Sequence, residues 1–395
     1  MDNTTLAPVV EPGVSGGSGR FATVLQVLPA LGKGGGVERG VVEIADAITA
    51  AGGRALVASS GGEMVMDIKR ARAKHFTLPA GSKNPLVMQA NIGRLAKLIE
   101  AEGVDIVHAR SRAPAWSAYF AAKRAGVHFV TTFHGTYAHG NWFKRRYNAI
   151  MTRGERVIAI SDFIAGHMGR VYGTPASKIR TIHRGVDVKY FNPRAVGAER
   201  ISALSGQWRL GDGAPVVMLP GRLTRWKGQT VFIQAVAKLK RRDIRCLLVG
   251  SDQGRGAYRQ ELGDLLTKYD LNEIVRIVDH CNDMPAAYML TDVVVSASTD
   301  PEAFGRVAPE AQALGRPVIA TDHGGARETI IEGATGWLTP PGDVDALAQA
   351  IARVLALTET ERRRLAEQAI ANVRKNFSKE TMCARTLDVY NEVLS

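Results

Sequence analysis

Three cysteines in 395 residues, Cys246, Cys281 and Cys383, are too few and too far apart for a disulfide framework or a zinc-ligand set. They suit a reducing compartment, so a cytoplasmic protein is expected. Long apolar runs are also missing. No stretch is long enough to cross a bilayer as a helix, and Met1-Asp2-Asn3-Thr4-Thr5 lacks the basic-then-apolar pattern of a secretion signal. Acids are in deficit, 38 against 51 Lys and Arg, leaving a formal net charge of +13. No Ser/His/Asp or Cys/His constellation stands at a recognisable spacing, and no cluster of metal ligands is visible. Asp343-Val344-Asp345 resembles a metal motif, but it precedes Ala346-Leu347-Ala348-Gln349. It reads as a helix N-cap with a first-turn acid.

What is present is the balance of a globular protein, 45% apolar and 23% charged, at a length that favours two domains. The positive excess suits a polyanionic partner. It is concentrated between Arg110 and Arg156, where Arg110, Arg112, Lys123, Arg124, Lys144, Arg145, Arg146, Arg153 and Arg156 face a single acid, Glu155. Within that window, Asn141-Trp142-Phe143-Lys144-Arg145-Arg146-Tyr147 sets aromatics beside a basic triplet. A basic helix edged with Trp and Phe fits an anionic membrane surface over 141–156, and equally an ordinary solvated face. No nucleic-acid-binding module is recognisable, so nucleic acid is not an expected partner.

Along the chain, residues 1–19 are Gly-, Ser- and Pro-rich and are expected to form a disordered tail. Phe21–Leu28 then reads as a buried strand that runs into the glycine loop Gly34-Gly35-Gly36 and a helical period at Val37, Val41, Ile44, Ala45 and Ile48. Strand-like and helix-like segments alternate from there: Ala55–Ala58, a helix from Pro85 to Glu102, Ile106–Ala109, a helix from Trp116 to Ala125, Phe129–Phe133, Arg156–Ile160 and Ile179–Ile182. Such alternation predicts a parallel sheet covered on both faces, with ligands at the carboxyl ends of its strands. At that rim stand Arg110 and Arg112 after one strand, and His134-Gly135 after another. A second alternating series opens at Val216–Pro220. Its first loop, Gly221-Arg222-Leu223-Thr224-Arg225-Trp226-Lys227-Gly228, offers a forked cation and a point cation between glycines, a composition suited to a diphosphate.

The stretch Thr299 to Ala311 follows the apolar run Asp292–Ala297 and enters a helix that stops at Gly315. A strand, a Gly-bearing loop and a helix N-terminus make an anion site. Glu302 and Glu310, eight positions apart, can both point into the same crevice. Carboxylates serve phosphate poorly and sugar hydroxyls well. The pattern therefore fits a ligand with hydroxyls at both ends and phosphate between them, a nucleotide sugar.

The E-x7-E motif of Glu302 and Glu310, the Gly221–Gly228 loop, the glycine loop with Glu38 and the terminal segment from Phe377-Ser378 to Tyr390 together resemble the retaining GT-B glycosyltransferases of family 4. More narrowly, Val107–Trp116 is similar to the lipopolysaccharide-core mannosyltransferases of Gram-negative bacteria. The resemblance implies an α/β fold of two Rossmann-like domains whose parallel sheets face across a cleft. Residues 20–195 would bind the acceptor and 196–376 the nucleotide sugar, with a helix at about 377–395 crossing back to the first domain. Arg222 and Lys227 would hold the donor diphosphate, Glu310 the ribose and Glu302 the transferred sugar. His134 would stand at the reacting centre, with Gly35 and Gly36 under the phosphates. Phe304 and Gly305 complete that loop, and Asp279 and Met284 would lie near the base. Arg110 and Arg112 would meet acceptor carboxylates or phosphates. No metal and no cofactor is implied. The expected activity is transfer of a hexose, with mannose from GDP-mannose the first choice and UDP-sugars the other, to an anionic glycolipid or oligosaccharide at the inner face of the membrane. The rivals are a nucleotide-sugar epimerase of the same fold and a non-catalytic nucleotide- or membrane-binding module. Two departures stand out: Arg184 where many members carry Asn before Gly-Val-Asp, and Ala303 where Gly is frequent.

Overall fold

The structure is a computed structural model and describes residues 21–32, 36–137 and 140–395. The expected tail at 1–19 and Gly35 lie outside the described residues. Two all-parallel sheets organise the chain. The first contains β1 (Thr23–Val27), β2 (Arg54–Ser59), β3 (Lys74–Thr77), β4 (Ile106–Ala109), β5 (His128–Phe133), β6 (Arg156–Ala159) and β7 (Ile179–Thr181), in the order β3-β2-β1-β4-β5-β6-β7. The second contains β8 (Val216–Pro220), β9 (Arg245–Val249), β10 (Val275–Val278), β11 (Val293–Ser296), β12 (Val318–Thr321) and β13 (Trp337–Thr339), in the order β10-β9-β8-β11-β12-β13. The central strands are buried along their whole length because helices cover both faces; all five residues of β1 and of β8 are buried.

Strand order reverses between β1 and β4 in the first sheet and between β8 and β11 in the second. At such a reversal the two following loops diverge to opposite faces and leave a crevice at the strands' carboxyl ends. In the second sheet those loops are Gly221–Gly228 and Ser298–Arg306. In the first they are the connection that enters the helix Gly36–Ala50 and the turn carrying Arg110.

The helix Glu359–Asn376 belongs with the second sheet, and the chain then returns to the first. Ser378 bridges Val186, and the helix Lys379–Leu394 buries Met382, Cys383, Val389, Tyr390 and Val393 against the helix Gly36–Ala50 and its neighbours. Polar ties hold that return, among them Lys379 Nζ donating to Asp187 Oδ2 at 2.7 Å. The Tyr390 hydroxyl lies 2.7 Å from His108 Nδ1, and His108 Nε2 lies 2.7 Å from Thr132 Oγ1. Burial, with Arg110 nearby, pushes the His108 pKa well below its ordinary value, so this pair is a neutral hydrogen-bonded link. Glu392, near the end of the last helix, accepts from Arg156 Nε at 2.7 Å and from Arg180 Nε at 2.9 Å.

Several local expectations change. The helix expected from Trp116 begins at Arg112, because Pro114 fits a first turn, whose N–H groups have no partner to lose. The helix Val65–Arg70 and the short strands β3 and β13 were not anticipated from periodicity. Asp343 is the N-cap it was expected to be, accepting from Ala346 N at 2.9 Å.

Candidate active site

The two crevices face one another across a cleft of about 580 Å³. Its first-domain wall includes Gly36, His134, Gly135, Thr136 and Arg184; its second-domain wall includes Arg222, Trp226, Lys227 and the run Asp300–Val307. Residues far apart in sequence thus meet because both switch points open to the same space.

Lys227 and Glu302 form the centre of the second-domain wall. Lys227 Nζ donates to Glu302 Oε1 at 2.8 Å, and both side chains are largely shielded from water. Ser298 Oγ donates to the same carboxylate oxygen at 2.6 Å and Ser296 Oγ at 3.4 Å. Burial alone would raise the Glu302 pKa. The Lys227 ammonium and the two hydroxyls outweigh it and hold the group below the usual carboxylate range. Glu302 is therefore an anion built to accept hydrogen bonds rather than an acid poised to give a proton.

Backbone geometry explains this position. Gly228 has φ +74°, and a Cβ there would stand 1.8 Å from the Ala297 carbonyl oxygen, so only glycine lets the Lys227 loop close onto the end of β11. Gly324 has φ +59°, and its Cβ would meet the Glu302 carbonyl oxygen at 2.4 Å. Gly325 N donates to that same oxygen at 2.9 Å. The loop after β12 thereby braces the Glu302 loop from below. Arg222 stands exposed at the mouth of the cleft.

On the first-domain wall, His134 Nδ1 lies 3.0 Å from Arg184 Nη2. A guanidinium only donates, so Nδ1 must be the acceptor, and the neutral ring carries its proton on Nε2. Among the described residues His134 Nε2 has no partner. Burial, then Arg184 and Arg110, push the His134 pKa well below its ordinary value, which keeps the ring neutral near pH 7.

Other expected residues are placed differently. Glu310 does not line the cleft; its carboxylate lies 3.2 Å from Arg306 Nη2 and accepts from the Tyr288 hydroxyl at 3.2 Å. Phe304 borders the cleft, but its ring is buried, 6.0 Å from His183 and 5.9 Å from Phe377 between centroids. Gly305, at φ +79°, turns the chain beside Glu302. Asp279 is exposed and paired with Arg259 at 2.6 Å in a separate depression. Met284 begins the helix Met284–Met289 and packs on the core. Neither reaches the cleft wall. Arg110 is not a surface cation but 3% exposed, beside Arg184. Arg112 turns inward to Asn148 Oδ1 at 3.1 Å and over the Tyr137 ring at 4.2 Å. The basic window is therefore not a continuous patch: Arg110 is buried, Arg156 serves Glu392, and the exposed cations include two separate groups, Lys123–Arg124 and Lys144–Arg146.

Sequence reasoning missed Arg306, whose Nη1 lies 3.5 Å from where a Cβ on Gly36 would be. It also missed the contact that joins the domains. Glu328 accepts from Asp162 N and Phe163 N, each at 2.7 Å, and from His183 Nε2 at 2.7 Å. It thus caps the other domain's helix Asp162–Tyr172. Ser161 Oγ reaches Ala303 O at 2.5 Å alongside. Asp162, His183 and Glu328 come within metal-ligand reach of one another, but both Glu328 oxygens already accept hydrogen bonds. An acid after Gly-Gly at the start of a short helix is the only sequence signal for Glu328.

Comparison with known proteins agrees with this architecture. Residues 34–190 match the model described as Glycosyltransferase Family 4, and residues 201–372 match Glycosyl transferases group 1. A D-inositol 3-phosphate glycosyltransferase of Xylanimonas cellulosilytica is 30% identical over 92% of this chain and 93% of its own. A glycosyltransferase structure from Rickettsia africae is 38% identical with a TM-score of 0.88, covering 95% of this chain and 99% of its own. Anabaena HepE in complex with UDP and glucose is 25% identical with a TM-score of 0.80, covering 94% and 99%. With both halves matched in order and near-full-length relatives at this identity, the protein belongs to the group 1, family 4 glycosyltransferases and is an enzyme that transfers sugar from a nucleotide-sugar donor.

Proposed function

We propose that the protein transfers a hexose with retention from a nucleotide diphosphate sugar to an anionic glycolipid or oligosaccharide of the lipopolysaccharide core. Mannose from GDP-mannose is the first candidate and a UDP-hexose the second. The observation that carries this reading is the shielded Lys227–Glu302 pair with Arg222 beside it, facing His134 across the cleft. In such a reaction the bond between the sugar C1 and the diphosphate oxygen breaks, and negative charge grows on the leaving group. Arg222 and Lys227 supply preorganised cations there, so no metal is assigned to the step. Glu302, held ionised, accepts from sugar hydroxyls, and the His134 Nε2–H donates to the sugar from the opposite wall. The acceptor hydroxyl bonds to C1 on the face the diphosphate leaves, and its proton passes to the departing phosphate oxygen. Similarity of Val107–Trp116 to core mannosyltransferases supports the acceptor class, and HepE, a UDP and glucose complex, keeps the uracil donor in view.

A panel of GDP- and UDP-hexoses tests this. The true donor raises the melting temperature at saturation and releases its nucleotide only when acceptor is added. A panel in which no donor does either would end the reading. Turnover of the sugar without acceptor would point to epimerisation.

The enzyme would work at the cytoplasmic membrane surface. Trp142 and Phe143 are 63% and 75% exposed beside Lys144, Arg145 and Arg146, a composition suited to anionic headgroups. No helix among the described residues is long and apolar enough to cross a membrane. Co-sedimentation with phosphatidylglycerol vesicles, absent with phosphatidylcholine alone and lost in a Trp142→Ala/Phe143→Ala protein, is the expected result.

A further inference from the structure

Arg184 stands on the first-domain wall of the cleft, whereas Arg222 and Lys227 stand on the second-domain wall. It is 9% exposed, lines the cleft on the first-domain wall, and gives one Nη2–H to a neutral imidazole, His134. Gly40 makes room for it. A Cβ at that position would lie 2.8 Å from Arg184 Nη1 and 3.1 Å from Arg110 Nη2. Two guanidiniums therefore pack side by side against one turn of the helix Gly36–Ala50. Arg110 is 3% exposed, and its Nε has no partner among the described residues. Arg306 stands near, but its charge is shared with Glu310.

The cost of this arrangement is visible. Burial first, then Arg110 and Arg306, bring the Arg184 pKa down to about 9, still cationic at neutral pH. The acid that acts on it electrostatically is Glu43, and burial pushes the Glu43 pKa upward despite the surrounding arginines. Like charges held out of water are unfavourable unless an anion compensates them. The opposite wall shows the contrast, since Lys227 there has its carboxylate already.

We propose that Arg184 is the cation of a second anion seat in the cleft, which takes a carboxylate or phosphate carried by a substrate beside His134 and is separate from the diphosphate site of Arg222 and Lys227. The proposal rests on the glycosyltransfer reading of the cleft. A planar fork with free N–H groups suits a carboxylate or a phosphate monoester equally. Two sources have that chemistry: a uronic-acid donor, whose sugar carries a carboxylate, and an acceptor bearing phosphate or carboxylate.

The test compares wild type with Arg184→Asn and Arg184→Lys by calorimetric titration. In the donor arm UDP-glucuronate is set against UDP-glucose, or GDP-mannuronate against GDP-mannose where guanine is the base bound. In the acceptor arm methyl phosphate is titrated into the protein with and without saturating nucleotide. One arm should show wild type preferring the charged ligand. Arg184→Asn should weaken that ligand about ten- to a hundredfold while the neutral donor and the free nucleotide change less than about twofold. Arg184→Lys should keep part of the preference. The arm that responds identifies the source. The melting temperature of ligand-free Arg184→Asn should equal or exceed that of wild type, because a buried uncompensated charge has been removed. The proposal is overturned if neither charged ligand is preferred, if Arg184→Asn weakens the free nucleotide by the same factor, or if it lowers the ligand-free melting temperature as a purely structural arginine would. Wild type that binds no nucleotide at all refutes the donor reading instead, and methyl phosphate without nucleotide then still decides on the seat.

Discussion

The second-domain wall of the cleft pairs its buried cation, while the first-domain wall holds Arg184, which has no carboxylate in salt-bridge contact among the described residues. Lys227 has Glu302 at 2.8 Å and that carboxylate has Ser298 at 2.6 Å; among the described residues the Arg184 side chain hydrogen-bonds the neutral ring of His134 at 3.0 Å. A paired wall needs no ligand to balance its charge, and on the proposed reading it serves the part of the reaction that does not vary, the nucleotide sugar. An unpaired wall is complete only when substrate brings the missing charge. The difference separates the shared chemistry from the selectivity of this enzyme.

The most damaging change should be Lys227→Ala. It strips the diphosphate of a cation and leaves Glu302 buried and unpaired, and a loss of about 10²–10³ in kcat is expected in a transfer assay. Glu302→Gln keeps the shape but not the charge. It should lower kcat/KM by about tenfold to a hundredfold, from the loss of a charged acceptor to a sugar hydroxyl. His134→Ala should cost about tenfold, and the rate of the wild type should stay flat between pH 6 and 8 because burial keeps that ring neutral. An inflection near pH 6.5 that vanishes in His134→Ala would contradict the neutral ring.

Two smaller effects test how the walls are held together. Glu328→Gln removes the carboxylate that caps Asp162–Tyr172 across the domains, and about 1–2 kcal/mol of thermal stability should go with it. Glu392→Gln loosens the return of the last helix. Its partners, Arg180 then Arg156, hold the Glu392 pKa down to about 2, from an ordinary value of 4.5. A depressed carboxylate stabilises above its unfolded pKa and loses that contribution as pH falls through its folded one. The variant should therefore be less stable by about 1 kcal/mol at pH 7, with the gap to wild type closing between pH 4.5 and 2 in denaturant titrations.

Much of this fold was readable because buried parallel strands announce themselves. Val24-Leu25-Gln26-Val27 and Val293-Val294-Val295 need no partner to be recognised, and the glycines after them mark where backbone must turn or approach. The loops of Lys227 and Glu302 could be paired in thought because each follows a strand at the same rim. Lys74-His75-Phe76-Thr77 escaped notice since an edge strand is short and half polar. The arginines misled for another reason. Charge in a sequence reads as surface, yet Arg110 is buried and Arg112 turns inward, because Gly40 and the Tyr137 ring make room that no local pattern reveals. The contact of Glu328 with Asp162 spans 166 positions, and that of His134 with Arg184 spans 50. Such pairings belong to the tertiary fold and leave no periodicity behind.

The central claim is that Lys227 holds the phosphates and Glu302 the sugar. Calorimetric titration of the donor and of its free nucleoside diphosphate into wild type, Lys227→Ala and Glu302→Gln tests it most directly. The account predicts that Lys227→Ala weakens both ligands, whereas Glu302→Gln weakens the nucleotide sugar at least tenfold and leaves the free nucleotide unchanged. Equal affinities of Glu302→Gln and wild type for the nucleotide sugar would contradict it.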